Sequence, residues 1–325
     1  MAKVKNFAGF DVSKKFFDVC LSVDGLMSST RFSNDIQGFK ALFSQLAVDT
    51  HCVMEATGPY YLQLAFFLHE HGLKVSVVNP LIIRRFCQMR LSRAKTDKAD
   101  ARLIVAYGIK EEPAVWEPPQ QYVIELQQLQ ALCDQFQKHY RALSNQLEAF
   151  TASGLLCKRL ERQLLKELAH IEEQIAGIDN QMHELITVHH GEMMNNLTSI
   201  PGLGKKTALA LIVLSGGFKK FNNYKQLSAY VGLSPRIYES GTSVKGRSRI
   251  CKMGMSRIRA LLYVCSWSAK RCNAACKELY DRLVLNGKNK RLALIAVANK
   301  LIKQAFTIAT TNVAYDKNYR KNICL

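Results

Sequence analysis

The sequence lacks a long hydrophobic run. Among its 325 residues the longest purely apolar stretches, 208–214 and 292–298, are seven residues each. A membrane-spanning helix needs about 20 apolar residues. The first residues, Met-Ala-Lys-Val-Lys, begin no apolar segment of the kind that secretory signals contain. We therefore expect a soluble cytoplasmic protein, associated with the nucleoid and without a membrane partner.

Cysteine pairs at metal-ligand spacing are missing as well. The ten cysteines are scattered from Cys20 to Cys324, with no Cys-x-x-Cys motif and no Cys/His cluster. Cys272 and Cys276 lie four residues apart, but no second pair completes a four-ligand site. This spacing argues against a zinc module and favours reduced thiols that serve as small core residues.

Acidic residues nearly disappear from the last third of the chain. Residues 1–199 contain 21 Lys and Arg against 22 Asp and Glu, whereas residues 200–325 contain 24 against four. The C-terminal segment, with a balance of +20, therefore accounts for the net charge of +19. A basic surface kept for solubility is one interpretation, but so one-sided a distribution favours a polyanionic partner, DNA or RNA.

The first 112 residues predict an α/β domain. Short apolar runs bounded by Gly, Pro, Asn and Asp predict strands, and the amphipathic segments between them predict helices. The expected order, β-β-β-α-β-α-β-α, is a mixed sheet covered by helices. Strands are expected within 7–22 (two, joined by a tight turn) and over 27–32, 51–55 and 74–78, and helices over 35–46, 60–70, 81–91 and 97–110.

The middle of the chain predicts two long helices. Prolines at 113, 118 and 119 mark a linker, and the next proline is Pro201. Apolar residues recur at three-to-four spacing within 120–190, which favours an antiparallel hairpin or coiled coil, serving either dimerisation or as a spacer arm. We divide the chain into a domain over 1–118, a helical coiled-coil segment over 119–195 and a basic, mainly α-helical domain over 196–325.

Four acids stand out in the N-terminal domain. Asp11 lies inside the first predicted strand, where an unpaired buried carboxylate is costly. Glu55 ends another strand, and Asp97 and Asp100 lie three apart at a helix start. Acids at neighbouring strand ends and on a packed helix can converge on two divalent ions, which suits phosphodiester chemistry. The simpler interpretations are that Asp97 is an acid favoured by the helix dipole and that Glu55 begins a turn.

The sequence around these acids resembles the DEDD insertion-sequence transposases of the Piv/MooV type. The similar blocks are Gly-Phe-Asp-Val-Ser-Lys from residue 9, Glu-Ala-Thr-Gly from 55, Val-Asn-Pro from 78 and Lys-Thr-Asp-Lys-Ala-Asp-Ala-Arg from 95. The family's four acids fall on Asp11, Glu55, Asp97 and Asp100. The resemblance implies an RNase H-like (RuvC-like) domain with a Mg²⁺ site at these acids, with room for two ions and with Mn²⁺ as a substitute.

Residues 200–208, Ile-Pro-Gly-Leu-Gly-Lys-Lys-Thr-Ala, look like a helix-hairpin-helix turn. Gly202 and Gly204 let backbone amides approach a phosphate, and the following helix offers its positive N-terminus. An ordinary connection between two helices has the same pattern. The adjacent Lys205 and Lys206 favour nucleic acid.

A segment over 234–249 mixes hydroxyls, glycines and cations. Its candidate phosphate-binding cations are Arg236, Lys245, Arg247 and Arg249. The residues alone do not choose a nucleophile among Ser240, Thr242, Ser243 and Ser248, and all eight histidines precede residue 191. A loop that only binds phosphate is equally compatible with them. The block Tyr-Glu-Ser-Gly from residue 238 resembles the family's C-terminal motif, which places the nucleophilic serine at Ser240 and implies a covalent 5′-phosphoserine intermediate.

These observations favour a DNA recombinase that mobilises its own insertion sequence. The resemblance extends to members guided by a structured RNA, and a dimer or tetramer suits the joining of two DNAs. One alternative is a RuvC-like junction resolvase or nuclease that uses water and leaves Ser240 dispensable. Others are an actin-like kinase, although Asp-Val-Ser-Lys lacks a phosphate-binding glycine, and a non-catalytic nucleic-acid-binding protein, which leaves Asp11 without a purpose.

Overall fold

The structure is a computed structural model that describes residues 6–90, 97–236, 239–240, 244–245, 249–251 and 253–317. For residues 97–99, 236, 239–240, 244–245 and 249 it describes the backbone alone. The chain forms two compact units, Met1–Pro118 and Pro119–Leu325.

The first unit contains one five-stranded mixed sheet. Its strands are β1 (Phe7–Val12), β2 (Phe16–Val23), β3 (Leu26–Ser33), β4 (His51–Glu55) and β5 (Lys74–Val78), in the spatial order β3-β2-β1-β4-β5. The β1–β2 and β2–β3 pairs are antiparallel, and the β1–β4 and β4–β5 pairs are parallel. Its helices are α1 (Ile36–Phe43), α2 (Leu62–Glu70), α3 (Pro80–Met89) and α4 (Asp97–Glu111). The predicted mixed sheet with helices is confirmed.

Local sequence accounts for several of these boundaries. Asp35 caps α1, because its carboxylate accepts hydrogen bonds from the backbone N–H groups of Gln37 and Gly38. Asn79 caps α3 in the same way, with Pro80 at the first helical position, where its fixed φ suits a helix. Beyond β5, the Trp116 N–H donates to the Val75 carbonyl at 2.7 Å, so the segment before the linker covers that sheet edge.

The two faces of the sheet bury different side chains. Side chains alternate between faces along a strand, and Phe10 and Met54 belong to one core, which also contains residues of α1 and α2. Phe7 and Val53 belong to the other core, together with α4 residues such as Val105. Helix α4 therefore covers the face to which odd-numbered residues of β1 and β4 point.

The second unit is mostly helical, in agreement with the predicted C-terminal architecture. Its helices are α5 (Gln121–Ala152), α6 (Lys158–Thr198), α7 (Lys205–Ser215), α8 (Tyr224–Val231), α9 (Ser256–Cys272), α10 (Ala274–Leu285) and α11 (Lys290–Thr311). Four two-residue strands, β6 (Pro235–Arg236), β7 (Glu239–Ser240), β8 (Val244–Lys245) and β9 (Arg249–Ile250), lie between α8 and α9. The predicted coiled coil and the division of this unit at residue 195 stay predictions.

Helix α6 is kinked at His190, whose φ of −144° and ψ of 27° are non-helical. The His190 ring lies against Gly217, and its Nε2 is 2.8 Å from the Tyr122 hydroxyl oxygen. The Tyr122 ring stacks on His189 at a centroid distance of 3.9 Å. Burial is the main cause that lowers the pKa of His190, with further lowering by the charges of His189 and Lys219.

Helix α11 is an apolar core helix. Among the described residues it alone is long and apolar enough to cross a membrane by length and composition. Nine of its residues are buried inside the unit: Ala293, Leu294, Val297, Ala298, Leu301, Ile302, Ala305, Ile308 and Ala309. Most of these belong to the same hydrophobic cluster as residues of α7 and α9, and packing in that core therefore accounts for the apolar sequence of α11.

Candidate functional site

Three carboxylates lie side by side across the sheet of the first unit. Asp11 of β1 is directly opposite Asp18 of β2 in the antiparallel register. On its other side β1 runs parallel to β4 with Phe10 opposite Met54, so the next residues, Asp11 and Glu55, are also neighbours. Residues paired across strands point to the same face. These three acids therefore share the face that α4 covers.

Helix α4 runs antiparallel to β1 across that face. At its C-terminal end, a Cβ placed on Gly108 would lie 3.1 Å from the Phe7 ring. Nearer its N-terminus, the Ala101 carbonyl oxygen would lie 2.7 Å from a Cβ placed on Gly9. Asp11 lies two residues beyond Gly9 along β1, and the N-terminus of α4 lies about one helical turn before Ala101. Because the helix and the strand run in opposite directions, the N-terminus of α4 approaches Asp11.

The backbone places Asp11 and Glu55 on neighbouring strands, and Asp97 and Asp100 in the first turn of the helix that covers their face. Asp97 and Asp100 occupy the first turn of α4, at the end that approaches Asp11, and Glu55 ends β4 beside it. Asp11, Glu55 and Asp100 are each half-buried, which keeps them accessible to an ion. The Glu55 carboxylate accepts a hydrogen bond of 2.9 Å from the Thr57 hydroxyl. The Asp97 side chain lies outside the described residues.

The donor chemistry of this set suits a divalent cation. Carboxylate oxygens are the ligands that Mg²⁺ and Mn²⁺ prefer in proteins. Within the described part of the chain, no three His, Cys, Asp or Glu side chains are close enough together to form a metal-binding group. The Asp97 side chain is not among those described residues, and its backbone lies in the first turn of α4.

Asp18 is the member of this group that sequence reasoning missed. Its residue is only 5% exposed, and its carboxylate accepts hydrogen bonds from Arg31 Nε at 3.1 Å and Arg31 Nη2 at 2.7 Å. Arg31 lies directly opposite it on β3. The sequence signal for Asp18 was an acid inside an apolar strand, Phe-Phe-Asp-Val-Cys. Asp18 and Asp11 lie at matching distances from the hairpin turn between their strands.

The predicted helix-hairpin-helix residues form the turn between α6 and α7. Gly202 has a φ of +93°, and a Cβ there would lie 2.6 Å from the Ala269 Cα, so both conformation and space require glycine. Gly204 is the N-cap of α7, and Lys205 and Lys206 are its first two residues. The free N–H groups of this helix end and the flanking cations suit a phosphate.

The two lysines of this turn differ in their surroundings. Lys206 Nζ lies 3.6 Å from an Asp179 carboxylate oxygen, and both side chains are partly exposed. Among the described residues no such ion pair involves Lys205, which is exposed. Lys205 is therefore the better placed of the two for contact with an external phosphate.

The segment that carries the predicted serine forms short paired strands. Ser240 of β7 is opposite Val244 of β8, and Glu239 is opposite Lys245. Arg236 of β6 is opposite Arg249 of β9. The side chains of Arg236, Ser240, Lys245 and Arg249, and the whole of Arg247, lie outside the described residues. The backbone pairing thus sets the candidate cations Arg236 and Arg249 directly across from each other.

Comparison with known families gives two matches. A model described as the transposase IS116/IS110/IS902 family matches residues 194–281. A second transposase model, of the DEDD IS110 type, matches residues 8–152. The first range contains the glycine turn and Ser240, and the second contains all four predicted acids.

Curated relatives agree with these matches along most of the chain. The pilin gene-inverting protein of Moraxella bovis is 31% identical over 322 residues, which cover 96% of this chain and 98% of that protein. The corresponding protein of Moraxella lacunata has the same identity and coverage. The transposase for insertion sequence element IS1111A of Coxiella burnetii is 23% identical over 94% of this chain and 90% of its own length.

Proposed function

The chain belongs to the IS110 family of DEDD transposases, enzymes that recombine DNA, and we propose that it cuts and rejoins strands with a carboxylate metal site and a serine nucleophile. The observation that supports the metal site is the placement of Asp11 and Glu55 on neighbouring strands of the face that α4 covers. The five-strand order, with its antiparallel hairpin strands and two parallel strands, is compatible with an RNase H-like domain.

We assign Asp11, Glu55, Asp97 and Asp100 as the residues that would hold divalent metal, with Mg²⁺ as the expected ion and Mn²⁺ as a substitute. A bound divalent ion polarises a scissile phosphate and stabilises the leaving oxygen. The chain's own contribution is the rigid presentation of these carboxylates. Two of them lie on neighbouring parallel strands and two on the first turn of a helix that the sheet contacts through Gly9.

We assign Ser240 as the nucleophile. Its Oγ attacks the scissile phosphorus and forms a P–O bond, while the bond to the 3′ oxygen breaks and that oxygen takes up a proton. The serine proton passes to a base. A 3′-hydroxyl of the partner strand then attacks the 5′-phosphoserine and releases the serine again, so the number of phosphodiester bonds is conserved.

Cations of the second unit neutralise DNA phosphates in this proposal. Residues 200–325 carry a balance of +20, and each neutralised phosphate releases counterions, which makes the affinity depend on salt. The residues assigned to this role are Gly202, Gly204, Lys205, Lys206, Arg236, Lys245, Arg247 and Arg249. A dimer or tetramer would bring two DNA segments together, and a structured RNA would guide the choice of DNA site.

Two experimental arms separate this proposal from the water-using nuclease. The full chain is incubated with Mg²⁺ and element-junction DNA, with and without RNA transcribed from the flank, and resolved on a denaturing gel. We expect a covalent protein–DNA adduct that both Ser240→Ala and Asp11→Asn eliminate. Ser243→Ala is the matched control and should retain the adduct. Cutting without an adduct, unchanged in Ser240→Ala, would establish hydrolysis by water instead.

Site-specific inversion is a second candidate reaction. It is favoured by the match of almost the whole chain to two pilin gene-inverting proteins at 31% identity. A plasmid that carries two inverted junction sites around a reporter distinguishes the outcomes, because inversion preserves plasmid length whereas transposition inserts DNA elsewhere. Recovery of inverted plasmid that depends on Ser240 would favour inversion.

A further inference from the structure

A row of charged residues crosses the sheet at the proposed metal site. Arg31, Asp18 and Asp11 occupy directly opposed positions on β3, β2 and β1, and Glu55 continues the row on β4. Neighbouring strands are about 4.8 Å apart. The row therefore contains three acids, of which Asp18 lies immediately beside the proposed ligand Asp11.

Like charges at directly opposed sheet positions repel each other. Asp18 is also 5% exposed, so its carboxylate cannot be stabilised by bulk water. Its stabilisation comes from the fork of Arg31, whose Nε donates to Asp18 Oδ1 at 3.2 Å and whose Nη2 donates to Asp18 Oδ2 at 2.7 Å. Because Arg31 lies on β3, this bidentate contact draws the carboxylate toward the side of β2 opposite β1.

We propose that Arg31 and Asp18 form a positioning pair for the metal site, in which Arg31 holds Asp18 out of the metal shell so that Asp11 is the carboxylate of the hairpin that meets the ion. This inference rests on the proposed metal site. Asp18 then has a role distinct from that of the four ligands. Its buried negative charge contributes to the electrostatic potential at the metal site, while its carboxylate does not contact the metal.

Because Arg31 and Asp18 carry opposite charges, removing one or the other should change metal affinity in opposite directions. Arg31 is two strands from Asp11, about 10 Å, and its positive charge repels a divalent ion there. Removing that charge strengthens binding roughly fourfold, the size expected for such charges in a water-like dielectric. Removing the negative charge of Asp18 weakens binding by a factor at least as large, because Asp18 is one strand closer.

The experiment measures Mn²⁺ binding to the full chain at pH 8, where carboxylates are ionised, by the electron paramagnetic resonance signal of the free ion. Arg31→Gln should bind Mn²⁺ more tightly than the wild type and yet cleave junction DNA more slowly, because the released Asp18 carboxylate can enter the metal shell. Asp18→Asn should bind Mn²⁺ more weakly. The double variant Asp18→Asn/Arg31→Gln has the wild-type net charge, and its affinity should lie between those of the two single variants.

Controls separate this charge effect from damage to the fold. Arg31→Lys keeps the charge but loses the fork, so it should bind Mn²⁺ more tightly than the wild type only through the released Asp18 carboxylate. Calorimetry on each variant reports whether the sheet remains folded. If a single variant unfolds, the double variant still has a neutral pair of side chains that can form a hydrogen bond. If Arg31→Gln and Asp18→Asn both weaken Mn²⁺ binding, or both leave it unchanged, the positioning role is refuted.

Asp11→Asn distinguishes failure of this inference from failure of the metal site itself. It removes a proposed ligand and should reduce Mn²⁺ binding far more than either variant of the pair. If Asp11→Asn leaves Mn²⁺ binding intact, the proposed metal site is wrong and the positioning role is refuted with it. If Asp11→Asn eliminates binding while the pair variants fail to show opposite signs, the metal site stands and the positioning role alone is overturned.

Discussion

Replacing Gly9 by alanine tests whether the close contact between β1 and α4 holds the carboxylates together. The new Cβ would lie 2.6 Å from the Val105 backbone nitrogen and 2.7 Å from the Ala101 carbonyl oxygen. Ordinary contact begins at 3.4 Å, so α4 would have to retreat by about 0.8 Å. Because the obstructing atoms are helix backbone, no side-chain rotation relieves the clash. We expect a loss of roughly 2–3 kcal/mol in the free energy of unfolding of the first unit.

The same displacement moves the first turn of α4 away from Asp11, and strand cleavage should fall roughly 10- to 100-fold. Hydrogen exchange followed by mass spectrometry on the full chain measures the loss of protection in α4 peptides. Gly177→Ala is the matched control, because a Cβ there meets nothing and alanine favours a helix by about 0.5–1 kcal/mol. Unchanged exchange in α4 together with unchanged cleavage in Gly9→Ala would refute the argued role of this contact.

Two further predictions concern the second unit. Burial lowers the pKa of His190 below the ordinary 6.5, so as pH falls the unfolded chain binds a proton before the folded chain does, and stability should decrease below pH 6.5. Urea unfolding at pH 7.5 and 5.5 should therefore show a smaller loss of stability in His190→Gln than in the wild type. An equal loss in both would contradict this reasoning. Lys205→Ala should lower DNA affinity and reduce the slope of log K against log salt by about 1. Lys206→Ala should reduce it less, since Asp179 already offsets that charge, and equal slopes would count against the assignment.

The regular part of the first unit followed from the sequence. Strands β4 and β5 have the predicted bounds, because each is a short apolar run ended by a turn or cap residue, and α1 begins one residue after the predicted start at 35, with Asp35 as its cap. Helix α1 ends at Phe43, three residues before the predicted end, where the Ser44 hydroxyl donates to the Ala41 carbonyl. Competition of this kind for backbone groups is not visible in apolar periodicity.

The partners of individual charges did not follow from the sequence. Asp18 is seven residues from Asp11 and 13 from Arg31, and only the register of two hairpins makes all three neighbours. At the kink, His190 contacts Tyr122, which lies 68 residues earlier in the chain. Both features are products of long-range packing, whereas the four candidate acids were detectable because each interrupts or ends an otherwise regular local pattern.

Asp97 and Asp100 can be interpreted as acids favoured by the helix dipole or as metal ligands, and both interpretations describe one physical arrangement. A helix N-terminus carries a partial positive charge that stabilises acids in its first turn by a few tenths to about 1 kcal/mol each. In the proposed site that end lies near Asp11 and Glu55, so the dipole would offset part of the repulsion among the carboxylates. A full divalent charge would complete the neutralisation that the dipole begins. Asp97 and Asp100 can therefore begin the helix and bind metal at once, and their helical placement supports the metal assignment.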